Sequence, residues 1–183
     1  MIEVNRRLYL DERDGSRSLH FESCRTTLKG VLERLIEETQ APGAISPTLW
    51  SAYHSTTFRA TVDEMDIRIR PGQMEPSLDR ALRARGATSW AYITAWDPGS
   101  AELPPGENGA RHDHLKNEVT GLRFEAFEGY GEPTNPNWMP ERSLLVFGIS
   151  ASEAVAMGRR YGQIAIVVGE LGQTARLVRV PQL

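Results

Sequence analysis

The chain has 183 residues, 40% of them hydrophobic and 25% charged, the size and make-up of one soluble domain with an extension. A formal net charge of −3 argues against nucleic acid as a partner, because phosphate binding normally calls for a basic stripe. No run of about 18 apolar residues occurs and the N-terminus is charged, so no membrane partner is expected and a cytoplasmic location is.

In chain order, RRLYL and SLHFE flank the turn-like DERDGS and predict a hairpin. A helix over 26–39 follows, because Leu28, Val31, Leu32, Leu35 and Ile36 recur at i, i+3, i+4, i+7 and i+8. Pro42 and Gly43 break that pattern, and Ser46-Pro47 opens a short helix through Tyr53. The boundary falls here, giving an N-terminal extension over 1–45 and a single α/β domain over 46–183.

TTFRATV and DIRIR predict a second hairpin about a VDEM turn, and PSLDRALRARG a helix that stops at Gly86. SWAYITAW is an apolar run of strand length, expected in the middle of the sheet. After the turn-rich DPGSAELPPGENGA come a helix over ARHDHLKNEVTG, a strand over LRFEAFE and a long loop, EGYGEPTNPNWMPERS, of the kind that carries function. SLLVFGI is a core strand, Ser150 and Glu153 make a capping box for ASEAVAMGRRYG, and QIAIVVG and TARLVRV are the last strands. The fold class expected is α/β, leaning to α+β: a mixed central β-sheet flanked by helices, with an N-terminal hairpin-plus-helix extension.

Most constellations have plain structural explanations. Cys24 is the only cysteine, which excludes an intrachain disulfide and a Cys-rich zinc site. His112 and His114 lie two apart on a helix, where the side chains diverge, so a solvated face is expected and no metal. GISAS lacks the last glycine of a nucleophile elbow, and Gly129-Tyr130-Gly131 lacks the third glycine of a dinucleotide loop. With no phosphate-binding loop either, no cofactor is expected.

What remains is polar residues at strand ends. Thr94, Asp97 and Ser100 lie where SWAYITAW runs into its loop, Asn108 and Arg111 follow on the next turn, and Arg159, Tyr161 and Gln163 cluster where a helix ends. Asp97-Pro98-Gly99-Ser100 is also an ordinary turn sequence, and arginines at a helix C-terminus complement its dipole.

The blocks AYITAWDPGS, ENGAR, WMPERSLLVFGIS and GRRYGQIAIVVGE resemble a bacterial family, the domain of unknown function 3293, over roughly residues 50–180. The resemblance implies an α/β fold with a shared pocket and brings no activity. Its polar positions correspond to Thr94, Asp97, Pro98, Ser100, Asn108, Arg111, Glu141, Ser143, Arg159, Tyr161, Gly162 and Gln163. Asp97 and Ile164 stand where the family has Asn, and Arg142 where it has Pro.

The resulting expectation is a cytoplasmic protein that binds a small polar or anionic ligand in a cleft at the strand ends. Its ligand-binding residues are Thr94, Asp97, Ser100, Asn108, Arg111, Ser143, Arg159, Tyr161 and Gln163. Any general acid or base is Asp97 or Glu141, with Arg111 as electrostatic stabiliser. The competing class is a protein-interaction or regulatory module, in which the Leu28 to Ile36 stripe meets a partner or a second copy in a homodimer.

Overall fold

A computed structural model of the chain describes residues 10–11, 16–18, 20–40, 45–134 and 138–182, the side chains of 32–40 excepted. The chain divides into two compact units, Met1–Ala44 and Ile45–Leu183.

In the first unit Leu10 and Arg17 form one antiparallel bridge, and the Asp11 N–H donates to the Ser16 carbonyl at 2.8 Å, as a hairpin requires. The turn between them and most of the first predicted strand lie outside the described residues. Helix α1 spans Phe21–Gln40, so SLHFE is not a second full strand and the helix starts before residue 26. Its start is fixed by polar groups rather than by the apolar stripe: the Ser18 carbonyl accepts the Phe21 N–H at 3.0 Å, and Glu22 pairs with Arg25 in the first turn. Of the stripe, Leu28 is half-buried and Val31 exposed, and the other side chains lie outside the described residues.

The second unit carries α2 (Pro47–Ser55), β1 (Thr57–Val62), β2 (Met65–Ile69), α3 (Pro76–Ala84), β3 (Ser89–Thr94), α4 (Pro105–Gly121), β4 (Glu125–Glu132), β5 (Glu141–Phe147), α5 (Ala151–Arg160), β6 (Ala165–Glu170) and β7 (Arg176–Arg179). The α/β class holds. The strands form one sheet in the order β2-β1-β4-β5-β3-β6-β7, and every neighbouring pair is antiparallel, so the sheet is not mixed. The strand-helix-strand order misleads because each crossover straddles a strand. β5 lies between β3 and β4, and β3 lies between β5 and β6, so the like-directed strands never touch.

Alternation along the central strands divides the core between the two sheet faces. Ala91, Ile93, Leu144 and Val146 pack with Leu115 and Val119 of α4 and Ala154 and Met157 of α5. Trp90, Tyr92, Leu145 and Phe147 pack with Leu78, Ala81 and Leu82 of α3. The capping box at α5 forms as its sequence dictates, with the Glu153 carboxylate accepting the Ser150 N–H at 2.9 Å. No described helix is long and apolar enough to cross a membrane.

Several boundaries near the site differ from expectation, among them the start of β5, at Glu141 rather than Ser143. Helix α4 begins at Pro105, not at 110, since a proline suits the first helical position and its missing N–H costs nothing there. β4 starts at Glu125, because Leu122 and Arg123 are used to end α4, the latter in a left-handed conformation (φ 64°). It then runs through Glu132, so the first residues of the predicted long loop are strand.

Candidate functional site

Beyond the layer of α3, the same sheet face opens into a cleft of about 400 Å³. Residue parity explains its floor. Glu141 and Ser143 precede Leu145 and Phe147 on the same side of β5, Thr94 follows Tyr92 on β3, and Ala165 precedes Val167 on β6. Phe58 of β1, Leu177 of β7 and Leu49, Tyr53 and Thr56 contributed by α2 and its cap complete the walls with Trp138 and Met139.

Glycine shapes β4 beside it. Ser143 pairs with Gly129 and Glu141 with Gly131 across the β4–β5 ladder. A Cβ on Gly129 would lie 2.3 Å from the Tyr92 hydroxyl, which reaches over β4 to donate to the Arg59 carbonyl at 2.6 Å. Only a bare backbone lets that tyrosine cross.

The loop after β3 brings Asp97 and Ser100 to the cleft in an unusual backbone. Asp97 (φ 40°), Gly99 (φ 65°) and Ser100 (φ 58°) are all left-handed, a conformation that must be held from outside. Asn108 accepts the Asp97 N–H and donates to the Asp97 carboxylate, which also accepts the Leu103 N–H at 2.9 Å. The Gly99 N–H donates to the Gly162 carbonyl at 2.7 Å, and Gln163 Nε2 donates to the Trp96 carbonyl at 2.8 Å. Gly162 has φ 71°, and a Cβ there would stand 2.8 Å from Cβ of Pro98. Arg111 ties the two turns together, donating from Nε to the Ala95 carbonyl at 2.8 Å and from Nη2 to the Tyr161 carbonyl at 2.6 Å.

The polar residues singled out in the sequence therefore divide. Thr94, Asp97, Ser100, Glu141, Ser143 and Gln163 line the cleft. Asn108, Arg111, Arg159 and Tyr161 do not. Asn108 and Arg111 bond the loop that carries Asp97, and Arg159 is exposed on α5. The Tyr161 hydroxyl lies elsewhere, between His114 Nδ1 and Glu118 Oε2, each at 2.8 Å. His112 is fully buried rather than solvated, with Nε2 2.9 Å from the Glu128 carboxylate. Among the described residues, no group of three or more His, Cys, Asp and Glu side chains is arranged to hold a metal.

Sequence reasoning did not reach Tyr53, Phe58, Tyr92, Trp138 and Glu102 as cleft residues. Tyr92 had a usable signal, since it shares strand parity with Thr94. Tyr53 had none, because the α2 pattern does not say which sheet edge the helix covers.

Burial, reinforced by the negative charge of Asp97, pushes the Glu141 carboxyl up to about 7. The Glu141 carboxyl makes no hydrogen bond or ion pair with the described residues, so near neutral pH it is able to give or take a proton. Burial also raises Tyr53, opposed by its hydrogen bond to Ser100 at 2.7 Å and reinforced by Glu141.

Compared with known families, residues 93–166 match the model described as protein of unknown function (DUF3293). This stretch of the chain is similar to the DUF3293 family. The DUF3293 match runs from the end of β3 through the start of β6, taking in the Asp97 turn, its braces on α4 and at Gly162, and the Glu141 strand. The α2 and β1 walls of the cleft lie outside it. No curated protein and no solved structure matches the chain. At position 97, where the resemblance has Asn, an amide oxygen would accept the same two hydrogen bonds as the carboxylate. The aspartate thus changes the charge at the cleft and not the turn.

Proposed function

We propose that this protein binds a small polar ligand in the cleft between α2 and the strand ends, with Glu141 exchanging a proton with it. One observation carries the reading. A left-handed turn braced from two other elements delivers Asp97 and Ser100 to the same cavity that holds an unpaired, desolvated carboxyl on β5. The lining offers carboxylates, hydroxyls and a side-chain amide, which favours a polar ligand over the anionic one that Arg111 suggested, because Arg111 is engaged with backbone carbonyls. A cytoplasmic setting belongs to the same reading.

The test is native against denaturing mass spectrometry of the full chain and of Gly131→Leu. Gly131 lines the cleft and a Cβ on it meets nothing closer than 3.6 Å, so a larger side chain there is expected to enter the cleft. An extra mass carried by the native protein and missing from the variant is expected. An adduct equally abundant in both would overturn the assignment.

A second reading, as an interaction module, is favoured by Val31 on α1, which is 43% exposed within the apolar stripe. Concentration-dependent sedimentation that vanishes in Val31→Asp is its signature.

A further inference from the structure

We infer that the cleft selects a small organic cation, an ammonium or amidinium group carried on a flat apolar body. The inference rests on the cleft being a ligand site, as proposed above, and names the class of ligand.

The lining is one-sided in charge. Asp97, Glu102 and Glu141 contribute carboxyl groups, whereas no lysine, arginine or histidine is among the described lining residues. The two arginines closest in sequence to these groups are committed elsewhere. Arg111 bonds two carbonyl oxygens, and Arg142 turns its guanidinium to Glu128 at 3.4 Å. An anionic ligand would therefore enter beside negative charge with no counter-ion, a juxtaposition that disfavours the wrong partner strongly.

The walls reinforce the same choice. Phe58 and Tyr92 stand with ring centroids 5.2 Å apart, and Tyr53 and Trp138 add two further aromatic groups to the lining. Ring faces carry negative quadrupole potential and attract a cation in a desolvated pocket, while their breadth suits a flat apolar body. Glu141 lies on the strand that floors this cavity, and its carboxyl has no partner among the described residues. A ligand ammonium gives that carboxylate a charge-assisted bond that no protein group supplies.

The experiment compares three probes of one shape, benzylamine, benzyl alcohol and benzoate, titrated into the full-length protein, Glu141→Gln and Gly131→Leu by ligand-observed NMR. Benzylamine is expected to bind about tenfold tighter than benzyl alcohol, with benzoate weakest. Glu141→Gln, an isosteric change, is expected to weaken benzylamine by about tenfold and to leave benzyl alcohol within about twofold. Equal binding of the amine and the alcohol, or benzoate ranking first, overturns the cation while leaving the cleft as a ligand site, provided that Gly131→Leu abolishes that binding. Binding of none of the three, or binding indifferent to Gly131→Leu, removes the cleft reading itself and the inference with it.

Discussion

Asn108 grips Asp97 by both its backbone and its side chain: its Oδ1 accepts the Asp97 N–H at 2.9 Å and its Nδ2 donates to the Asp97 carboxylate at 2.7 Å. The amide is 1% exposed, so nothing from solvent replaces these bonds. Asn108→Ala is expected to cost about 2–4 kcal/mol in urea unfolding, since it orphans a donor and an acceptor in a buried site. Asn108→Asp should be at least as damaging, because it removes the donor and sets a second carboxylate against the first. A cost under about 0.5 kcal/mol for Asn108→Ala would mean that the left-handed turn holds itself.

Arg111 makes a sharper case. Its planar guanidinium spans the Ala95 and Tyr161 carbonyls, which belong to different loops. Arg111→Lys should recover little of the stability lost in Arg111→Ala, about 2–3 kcal/mol, because one ammonium group cannot reach both acceptors in the same geometry. Full recovery by lysine would assign Arg111 a role as charge alone.

Stability should depend on pH through Glu141. Its ordinary value of 4.5 applies to the unfolded chain and about 7 to the folded one, so between these values the unfolded state has lost a proton that the folded state keeps. This group's contribution is therefore most favourable below about pH 4.5, declines as pH rises to about 7, and stays low above it. Glu141→Gln should match the natural protein at pH 4 and exceed it by about 2 kcal/mol at pH 8, read from denaturant titrations at both values. A constant difference across that range would place the Glu141 carboxyl in water.

Two glycines on β4 should behave differently. At Gly129 an added Cβ would lie 2.2 Å from the Arg59 carbonyl, and at Gly131 the nearest atom is 3.6 Å away. Gly129→Ala is expected to cost about 2 kcal/mol or more, through separation of β1 from β4, and Gly131→Ala to stay within about 0.5 kcal/mol. Thermal midpoints of the two variants measured side by side decide it.

Local chemistry was legible where one short stretch determines the outcome. Ser150 with Glu153 announces α5, Ser46-Pro47 announces α2, and Asp97-Pro98-Gly99 announces a turn. Strand direction was not legible. Parallel and antiparallel neighbours have the same apolar pattern when both faces are buried, as at Trp90 to Ile93.

The site divides on similar grounds. Thr94, Asp97 and Ser100 reach the cleft because strand parity and one turn place them there. Asn108 and Arg111 look identical in sequence whether they bond a ligand or a carbonyl, and only the meeting of α4 with the Gly162 turn decides between the two. Tyr53 and Phe58 approach from distant chain, where no local signal exists.

Among the described residues the sheet stops at β2 on one side and β7 on the other, and both borders discourage further strands from joining. A second copy laid antiparallel along β7, centred on Leu177 and Val178, would set Arg176 against Arg179 twice, like charge against like. Along β2, Asp66 already binds Arg59 and Arg68. Pro71 and Pro181 follow the two strands within two residues, each withholding the N–H that a growing ladder would need next. The borders thus carry their own protection against fibril-like stacking.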